Sequence, residues 1–267
     1  MDIATVGGLV LGWGGLLLAL LLDAHFDITA LNAYANAPGL LLIVAGTAGA
    51  TLIGYTMKDV KNLPAILRNA FREKHLDPVA AVSMMVGFAG KARRDGLLGL
   101  EEDIATIEDP FLKKGLQLVV DGTDVEMIRE ILETDTAYLA SRHKVGADIF
   151  NAAGGFAPTM GIVGAVAGLI HALVEVSDAS KLTEAIAVAF TATFYGIGFA
   201  NLIFLPLSGK LSLRSKGDVF LRELQLVGVL SISAGDNPRI VEEKMKAFMA
   251  PVDRLTLEAA TASQKAE

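Results

Sequence analysis

Residues 154–176 read GGFAPTMGIVGAVAGLIHALVEV, a run that is apolar enough to cross a lipid bilayer. The run nevertheless contains Pro158 and a glycine at almost every turn, and both residue types weaken a helix. A helix that only had to lie in lipid would need neither of them. Their presence therefore favours close helix packing, a bend, or both.

Apolar segments of this length occur four times in the chain of 267 residues, of which 52 % are hydrophobic. None of them contains Asp, Glu, Lys or Arg, and their ranges are 3–22, 37–57, 155–174 and 185–207. The first lacks the basic flank and the cleavage site of a signal peptide, so we expect it to be retained. No segment alternates as a strand would, which predicts an all-α fold: a polytopic membrane protein with four transmembrane helices and a large helical cytoplasmic domain.

The basic residues predict the orientation. Of the 23 Lys and Arg residues, 22 lie in two stretches, residues 58–154 and 208–267. The loop 23–36 has none, and the link after Val176 has only Lys181. Under the positive-inside rule both termini and the long middle stretch are cytoplasmic. The predicted domains are transmembrane helices 1 and 2 (1–57), a cytoplasmic helical domain (58–154), transmembrane helices 3 and 4 (155–207), and a cytoplasmic helical segment with a tail (208–267).

Several helix boundaries can be read from the cytoplasmic sequence. Asp77 and Pro78 are typical of a helix start, and that helix is predicted to end near Gly96. Residues 123–126, Thr-Asp-Val-Glu, match a capping box. The spacing of apolar residues after this box predicts one long helix that continues into the third span. Residues 258–267 have the composition of a disordered tail.

Composition excludes several classes of function. The net charge of −7 gives no indication of a nucleic-acid partner, and the absence of cysteine excludes disulfides and thiolate chemistry. The spans lack paired aspartates, a Ser/His arrangement or a metal cluster, so the chain is not expected to be an enzyme or to hold a cofactor or metal. Neither internal repeats nor midplane ion ligands support a secondary transporter.

The last two spans each contain one proline, and both prolines are predicted to lie at the same depth in the membrane. The third span runs outward from Pro158 and the fourth returns inward to Pro206, which brings both to the cytoplasmic end of the membrane. Each removes a helix hydrogen bond and permits a bend. The two alternatives are prolines that the membrane simply tolerates and a functional hinge.

Small residues form a stripe on each of these two spans. Gly161, Ala165 and Gly168 share one face of the third span, where Gly164 and Gly168 form a GxxxG pair. The fourth span has a matching stripe that includes Gly196. Such faces let helix backbones approach closely, either within one subunit or around a helix of another chain.

Few groups in the spans could carry an ion. His171 is the one ionisable residue within them and lies near the outer end, where a neutral packed histidine is the simpler interpretation. Thr191 and Thr193 are the polar candidates of the fourth span, although threonine hydroxyls often bond back to their own helix. If the protein conducts an ion, a partner must supply the essential carboxylate.

One cytoplasmic stretch concentrates charge of both signs. Arg93 and Arg94 precede a glycine turn, and Glu101 and Glu102 follow it. Spacing alone predicts a helix, a turn and a second helix with solvated charges.

The order of these features resembles the MotA family, the A subunits of the bacterial flagellar motor stator. The segments that carry the resemblance are RRDGLLGLE (93–101), DPFLKKGLQLVVDG (109–122), GGFAPTMGIVGAVAGLIHAL (154–173), TATFYGIGFANLIFLPLSGKL (191–211) and GDNPR (235–239). Together they cover nearly the whole chain.

The resemblance implies a pentameric ring in the inner membrane, built around a MotB dimer whose aspartate accepts the ion. It also implies that Arg93, Arg94 and Glu101 engage the rotor switch protein FliG. Pro158 and Pro206 match the family's two functional prolines, and Thr193 matches a hydroxyl near the ion path.

One position bears on the coupling ion. Sodium-type relatives tend to carry threonine at the position of Ala165, and alanine has no hydroxyl to coordinate a hard cation. The resemblance therefore favours proton coupling. The alternatives are a sodium-coupled stator and an ExbB/TolQ-like energiser, although those relatives usually have three spans and a different charge cluster.

Overall fold

The structure is a computed structural model that describes residues 2–71, 77–174 and 179–264. The described residues form helices joined by short turns, and no strand occurs among them, so the predicted all-α class is confirmed. Contacts divide the chain into two units. Unit 1 comprises Met1–Glu73 and His143–Leu213, and unit 2 comprises Lys74–Arg142 and Arg214–Glu267. Two long helices, α8 (Val125–Val174) and α10 (Leu205–Ser233), contribute residues to both units.

Unit 1 contains the helices that are long and apolar enough to cross a membrane. Its elements are α1 (Ile3–Asp23), a 3₁₀ helix (Ile28–Tyr34), α2 (Ala37–Gly54), α3 (Met57–Lys61), α4 (Leu63–Phe71), the second part of α8, α9 (Ala179–Phe199), a π-helix (Ala200–Phe204) and the start of α10. The four candidate spans lie in α1, in α2, in α8 and in the continuous run from α9 into α10, as predicted. The link expected after Val176 lies partly outside the described residues, which omit 175–178.

Unit 2 is built from shorter amphipathic helices around an apolar core. Its elements are α5 (Pro78–Asp95), a 3₁₀ helix (Leu97–Leu100), α6 (Glu101–Thr106), α7 (Pro110–Val120), α11 (Pro238–Lys246), α12 (Pro251–Gln264), the first part of α8 and the rest of α10. Fully buried side chains from most of these helices meet in the core: Met85, Leu100, Ile104, Leu116, Leu132, Leu224, Val241 and Met245. Burial of these side chains holds the short helices in place, because helices of this length are marginal alone.

Three helices of unit 2 begin with the same local device, an Asx residue followed by proline. The carboxylate of Asp77 accepts from Ala80 N–H at 2.9 Å, that of Asp109 accepts from Phe111 N–H at 2.9 Å, and the Asn237 amide oxygen accepts from Ile240 N–H at 3.1 Å. The side chain pairs a backbone N–H that the helix leaves free, and the proline fixes φ without removing a helix bond. The start predicted at Asp77 is confirmed, and so is the end of α5 at Asp95.

Two sequence predictions are wrong in detail. The helix α8 begins one residue later than the capping box implied: Asp124, not Thr123, accepts from Glu126 N–H, at 2.9 Å. A carboxylate is a stronger acceptor than a hydroxyl and is equally favoured at this position. The tail expected from residue 258 is helical as far as Gln264, since α12 continues through it, and residues 265–267 lie outside the described part.

The long helix predicted to run into the third span is confirmed as α8, which has 50 residues and contains Pro158 in its interior. The two units are defined by contacts between residues, whereas the predicted domains are divided at the ends of the membrane spans. The predicted boundaries after residues 57, 154 and 207 therefore stay a prediction.

Candidate functional site

Glycines make the seam between α8 and α9 too narrow for a side chain. A methyl group added at Gly161 would lie 3.0 Å from Thr193 Cα, and one at Gly168 would lie 3.2 Å from Ala189 Cα. One at Gly164 would lie 2.9 Å from the Cβ of Ala192. The two backbones therefore touch along this seam, in the manner of small-residue faces in membrane proteins.

One end of this seam is formed by Gly196 and Pro158. A methyl group on Gly196 would lie 2.5 Å from the carbonyl oxygen of Ala157 and 3.2 Å from Pro158 Cα. Proline has no N–H, so the carbonyl of Gly154, one turn earlier, loses its helix donor. The backbone of α8 therefore lacks one hydrogen bond at the place where it lies directly on a glycine of α9, and a hinge at Pro158 stays a prediction.

The π-helix Ala200–Phe204 follows directly after α9, at the end of the seam where Gly196 lies. Leu205 N–H donates to Ala200 O, five residues back, so this turn is wider than an α-helical turn. Asn201 Nδ2 donates to Ile197 O at 3.0 Å within the same turn, and Pro206 is exposed just beyond it. Both helical irregularities, Pro158 on α8 and the π-helix after α9, therefore lie at one end of the seam.

The threonines of α9 have separate partners. Thr193 Oγ1 donates to Gly161 O of α8 at 3.3 Å, which adds a hydrogen bond across the seam. Thr191 Oγ1 donates to Val188 O at 2.7 Å, within its own helix. Ala165 is half-buried on α8, and His171 is exposed near the end of that helix.

A buried amide that the sequence did not single out ties α2 to α9. Asn36 is 7 % exposed and caps α2, its oxygen accepting from Gly39 N–H at 2.9 Å. Its Nδ2 donates to Val188 O and to Thr191 Oγ1, both at 2.8 Å. Residue 36 lies in what reads as a polar loop, and its partners are more than 150 residues away, so no local pattern indicates this contact.

Replacing Asn36 with Ala is expected to destabilise unit 1 by about 1–3 kcal/mol, because α2 loses its cap and the two hydrogen bonds from the Asn36 amide to Thr191 Oγ1 and Val188 O are lost. Thermal unfolding of the purified protein in detergent, followed by circular dichroism, measures this. Asn32→Ala, at an exposed position in the preceding 3₁₀ helix, is the matched control. Equal midpoints for the two variants would contradict the assigned role.

The charged turn in unit 2 has the predicted form. The helix α5 ends with Arg93, Arg94 and Asp95, Gly96 has a φ of +78° that favours glycine, and α6 begins at Glu101. Arg93, Arg94 and Glu101 are exposed and make no salt bridge within the described part of the chain. Their charges are therefore available to another molecule.

A salt bridge and a buried leucine hold this turn in place. Lys91 Nζ and Asp103 Oδ2 form a salt bridge at 2.8 Å between α5 and α6, and Leu100 is fully buried. The hydrogen bond to Asp103 raises the pKa of Lys91 above its ordinary value. Because Lys91 is a cation with a raised pKa, its part of the contact is present at neutral pH and is lost as the pH rises through that alkaline value.

Comparison with known proteins gives concordant matches. The profile of the MotA/TolQ/ExbB proton channel family matches residues 103–223. Motility protein A of Bacillus subtilis is 38 % identical, over 96 % of this chain and 93 % of that protein. Chemotaxis protein PomA of Vibrio alginolyticus is 33 % identical, over 93 % of this chain and 96 % of that protein.

Solved structures match over the same range. The flagellar MotAB stator complex from Bacillus subtilis superposes with a TM-score of 0.87 and 38 % identity, covering 94 % of this chain and 97 % of that one. The MotAB structure from C. jejuni gives a TM-score of 0.85 and 31 % identity with the same coverage.

Proposed function

The chain belongs to the motility protein A group of the MotA/TolQ/ExbB proton channel family, and from this premise we propose that it couples proton flow through a complex with MotB to torque on the flagellar rotor. It is a flagellar stator subunit, a multi-pass protein of the inner membrane, and not an enzyme. The observation that carries the proposal is the likeness to the MotAB stator complex over 94 % of the chain.

MotB supplies the ion-binding aspartate in this proposal. The predicted spans of the present chain contain no Asp or Glu, so they cannot provide a carboxylate that takes up and releases an ion. Several copies of the chain, five in the family's arrangement, surround a MotB dimer, and both termini lie in the cytoplasm. Thr193, whose hydroxyl bridges α9 and α8, lies beside the ion path.

Movement follows from a change of charge. Protonating a carboxylate removes a charge from a medium of low dielectric constant, which shifts the balance between two packings of the surrounding helices. One charge that crosses the membrane releases about 2.3 kcal/mol per 100 mV, which is enough for a small step. The close seam makes α8 and α9 a rigid pair, and Pro158 and the π-helix are where this pair can bend.

The rotor contact is assigned to the charged turn. Arg93, Arg94 and Glu101 present both signs of charge on a turn fixed by a salt bridge and a buried leucine. Such a surface can attract and align a partner with complementary charges, here FliG.

The coupling ion is tested first. Cells that lack their own stators express this chain with its cognate B subunit, and the rotation of tethered cells is recorded while external sodium is exchanged for potassium at fixed pH. Rotation that persists without sodium is expected, because Ala165 offers no hydroxyl to a dehydrated cation. Rotation that stops reversibly would overturn proton coupling but not the stator role. Absence of rotation in both media, with the complex present in the membrane, would favour an ExbB/TolQ-like energiser.

Replacing Pro158 with Ala is expected to slow rotation about tenfold or more while membrane insertion and pull-down with MotB stay normal. Alanine restores the helix donor to Gly154 O. Bending α8 beside Gly196 then has to break one more hydrogen bond, which costs about 1 kcal/mol or more. Rotation speed and the amount of complex are measured in parallel. Pro64→Ala, in the first turn of α4 where proline removes no helix bond, is the control. A Pro158→Ala motor that turns normally would remove the hinge.

A further inference from the structure

A polar side chain is exposed within the fourth span, at Asn201. The predicted span covers residues 185–207, so Asn201 lies five residues, or about 8 Å, from its middle, well inside the hydrocarbon half-thickness of about 15 Å. Phe190 and Ile197 lie on the same face of the helix and are also exposed, by 66 % and 49 %. This face therefore contacts something outside the subunit, either lipid or another chain.

Lipid is a poor neighbour for a carboxamide. Transfer of an amide from water to an apolar medium without hydrogen bonds costs several kcal/mol, and polar groups within membranes accordingly face protein or water. Asn201 uses one N–H on Ile197 O at 3.0 Å. Its oxygen has no hydrogen-bond partner within the described part of the chain, and its second N–H is likewise available.

The position of this amide follows from the π-helix. Asn201 is the second residue of the wide turn, next to the segment that rests on the start of the third span: a methyl group at Gly154 would lie 2.6 Å from Leu205 Cδ2 and 3.5 Å from Phe204 Cβ. The turn is held on α8 by these residues while Asn201 points away from the subunit. The amide is thus presented at a fixed site on an outward face.

We infer that Asn201 faces the membrane helix of the B-type partner and hydrogen-bonds the carboxylate that takes up the ion. A carboxamide suits both states of that group, since its N–H donates to the ionised carboxylate and its oxygen accepts from the protonated acid. A cationic side chain only donates hydrogen bonds and would therefore favour the ionised state. The inference rests on the proposed function, because the partner's carboxylate is part of that proposal.

Cross-linking tests the direction in which residue 201 faces. The chain contains no cysteine, so Asn201→Cys introduces a unique thiol. It is co-expressed with the cognate B subunit carrying one cysteine in place of its membrane carboxylate, or one turn to either side of it, and membranes are oxidised. We expect a disulfide between the two chains, and none for Leu11→Cys, a control at a 77 % exposed position of α1. A disulfide only between copies of this chain, or labelling of the introduced thiol only by a lipid-soluble maleimide, would overturn the inference.

Substitution tests the chemistry. Asn201→Leu is expected to lower rotation speed about tenfold, the effect of one or two hydrogen bonds, with an unchanged amount of complex. Asn201→Gln, which keeps the carboxamide, is expected to recover part of that loss, and Leu11→Ile at the exposed position of α1 is expected to rotate normally. Normal rotation of Asn201→Leu, or equal loss in the Leu and Gln variants, would overturn the inference.

The proposed function and the role of Asn201 are contradicted by different results. If the unsubstituted chain does not co-purify with the B subunit, the proposed function is wrong. If it co-purifies and drives rotation but Asn201→Cys gives no cross-link, only the role of Asn201 is wrong.

Discussion

Reversing the charges at Arg93 and Glu101 is expected to slow rotation by more than tenfold and to leave the complex with MotB intact. Both side chains are exposed and free of salt bridges within the described part of the chain, so Arg93→Glu and Glu101→Lys break no contact of the fold. Surface charges of this kind contribute little to stability, about 0–1 kcal/mol even when paired. Placed opposite a charged partner, however, a reversal turns attraction into repulsion that costs several kcal/mol.

Tethered-cell rotation and pull-down with MotB separate the two effects. We expect the double variant to rotate more than tenfold slower, since several kcal/mol exceed the roughly 1.4 kcal/mol that correspond to a factor of ten. Glu243→Lys, at an exposed position of α11, makes the same change of charge as Glu101→Lys and is the control for that half of the double variant. A double variant that no longer co-purifies with MotB would show that the turn has a structural role instead.

Gly196→Val is expected to prevent the chain from accumulating in folded form. The first carbon of any side chain at this position would lie 2.5 Å from the carbonyl oxygen of Ala157, and backbone cannot move aside as a flexible side chain can. Overpacking of a well-packed contact typically costs about 1–3 kcal/mol, and separating α8 from α9 also loosens the other glycine contacts of the seam. Yield from the membrane and thermal unfolding in detergent measure the effect.

The same helix offers a matched control. A methyl group at Gly198 would have Trp13 Cη2 as its nearest neighbour, at an ordinary distance of 3.7 Å. Gly198→Ala is therefore expected to keep yield and unfolding midpoint within the range of the unsubstituted chain, whereas Gly196→Ala already lowers both. Alanine favours a helix more than glycine does, so a loss at residue 196 alone would come from the seam, and equal behaviour of the two alanine variants would contradict that assignment.

Elements that depend on local or strongly periodic patterns could be predicted from the sequence. Runs of apolar residues indicated the four membrane helices, and Asp77 with Pro78 indicated a helix start. The turn between Arg94 and Glu101 followed from its glycines. In each case the physical cause lies within a few residues along the chain: hydrophobic length, capping and backbone freedom.

Other features have causes that are distant in sequence. The amide of Asn36 is fixed by Val188 and Thr191, and the salt bridge of Lys91 depends on the position of Asp103 across a turn. Proline at 206 predicted an irregular helix but not a π-helix before it, because the wide turn is set by what α9 and α10 pack against. Tertiary contacts decided these points, and a single sequence contains little local information about them.

The π-helix also fixes the number of residues between two anchors on α8. On one side of it Gly196 packs on Ala157, and on the other side Ser208 Oγ donates to Ala147 O at 2.8 Å. One residue more or less between these anchors rotates one of them by about 100° around the helix axis. The spacing from 196 to 208 is therefore as strict a requirement as any side chain within it. A single-residue insertion or deletion here would displace an anchor that most substitutions would leave in place.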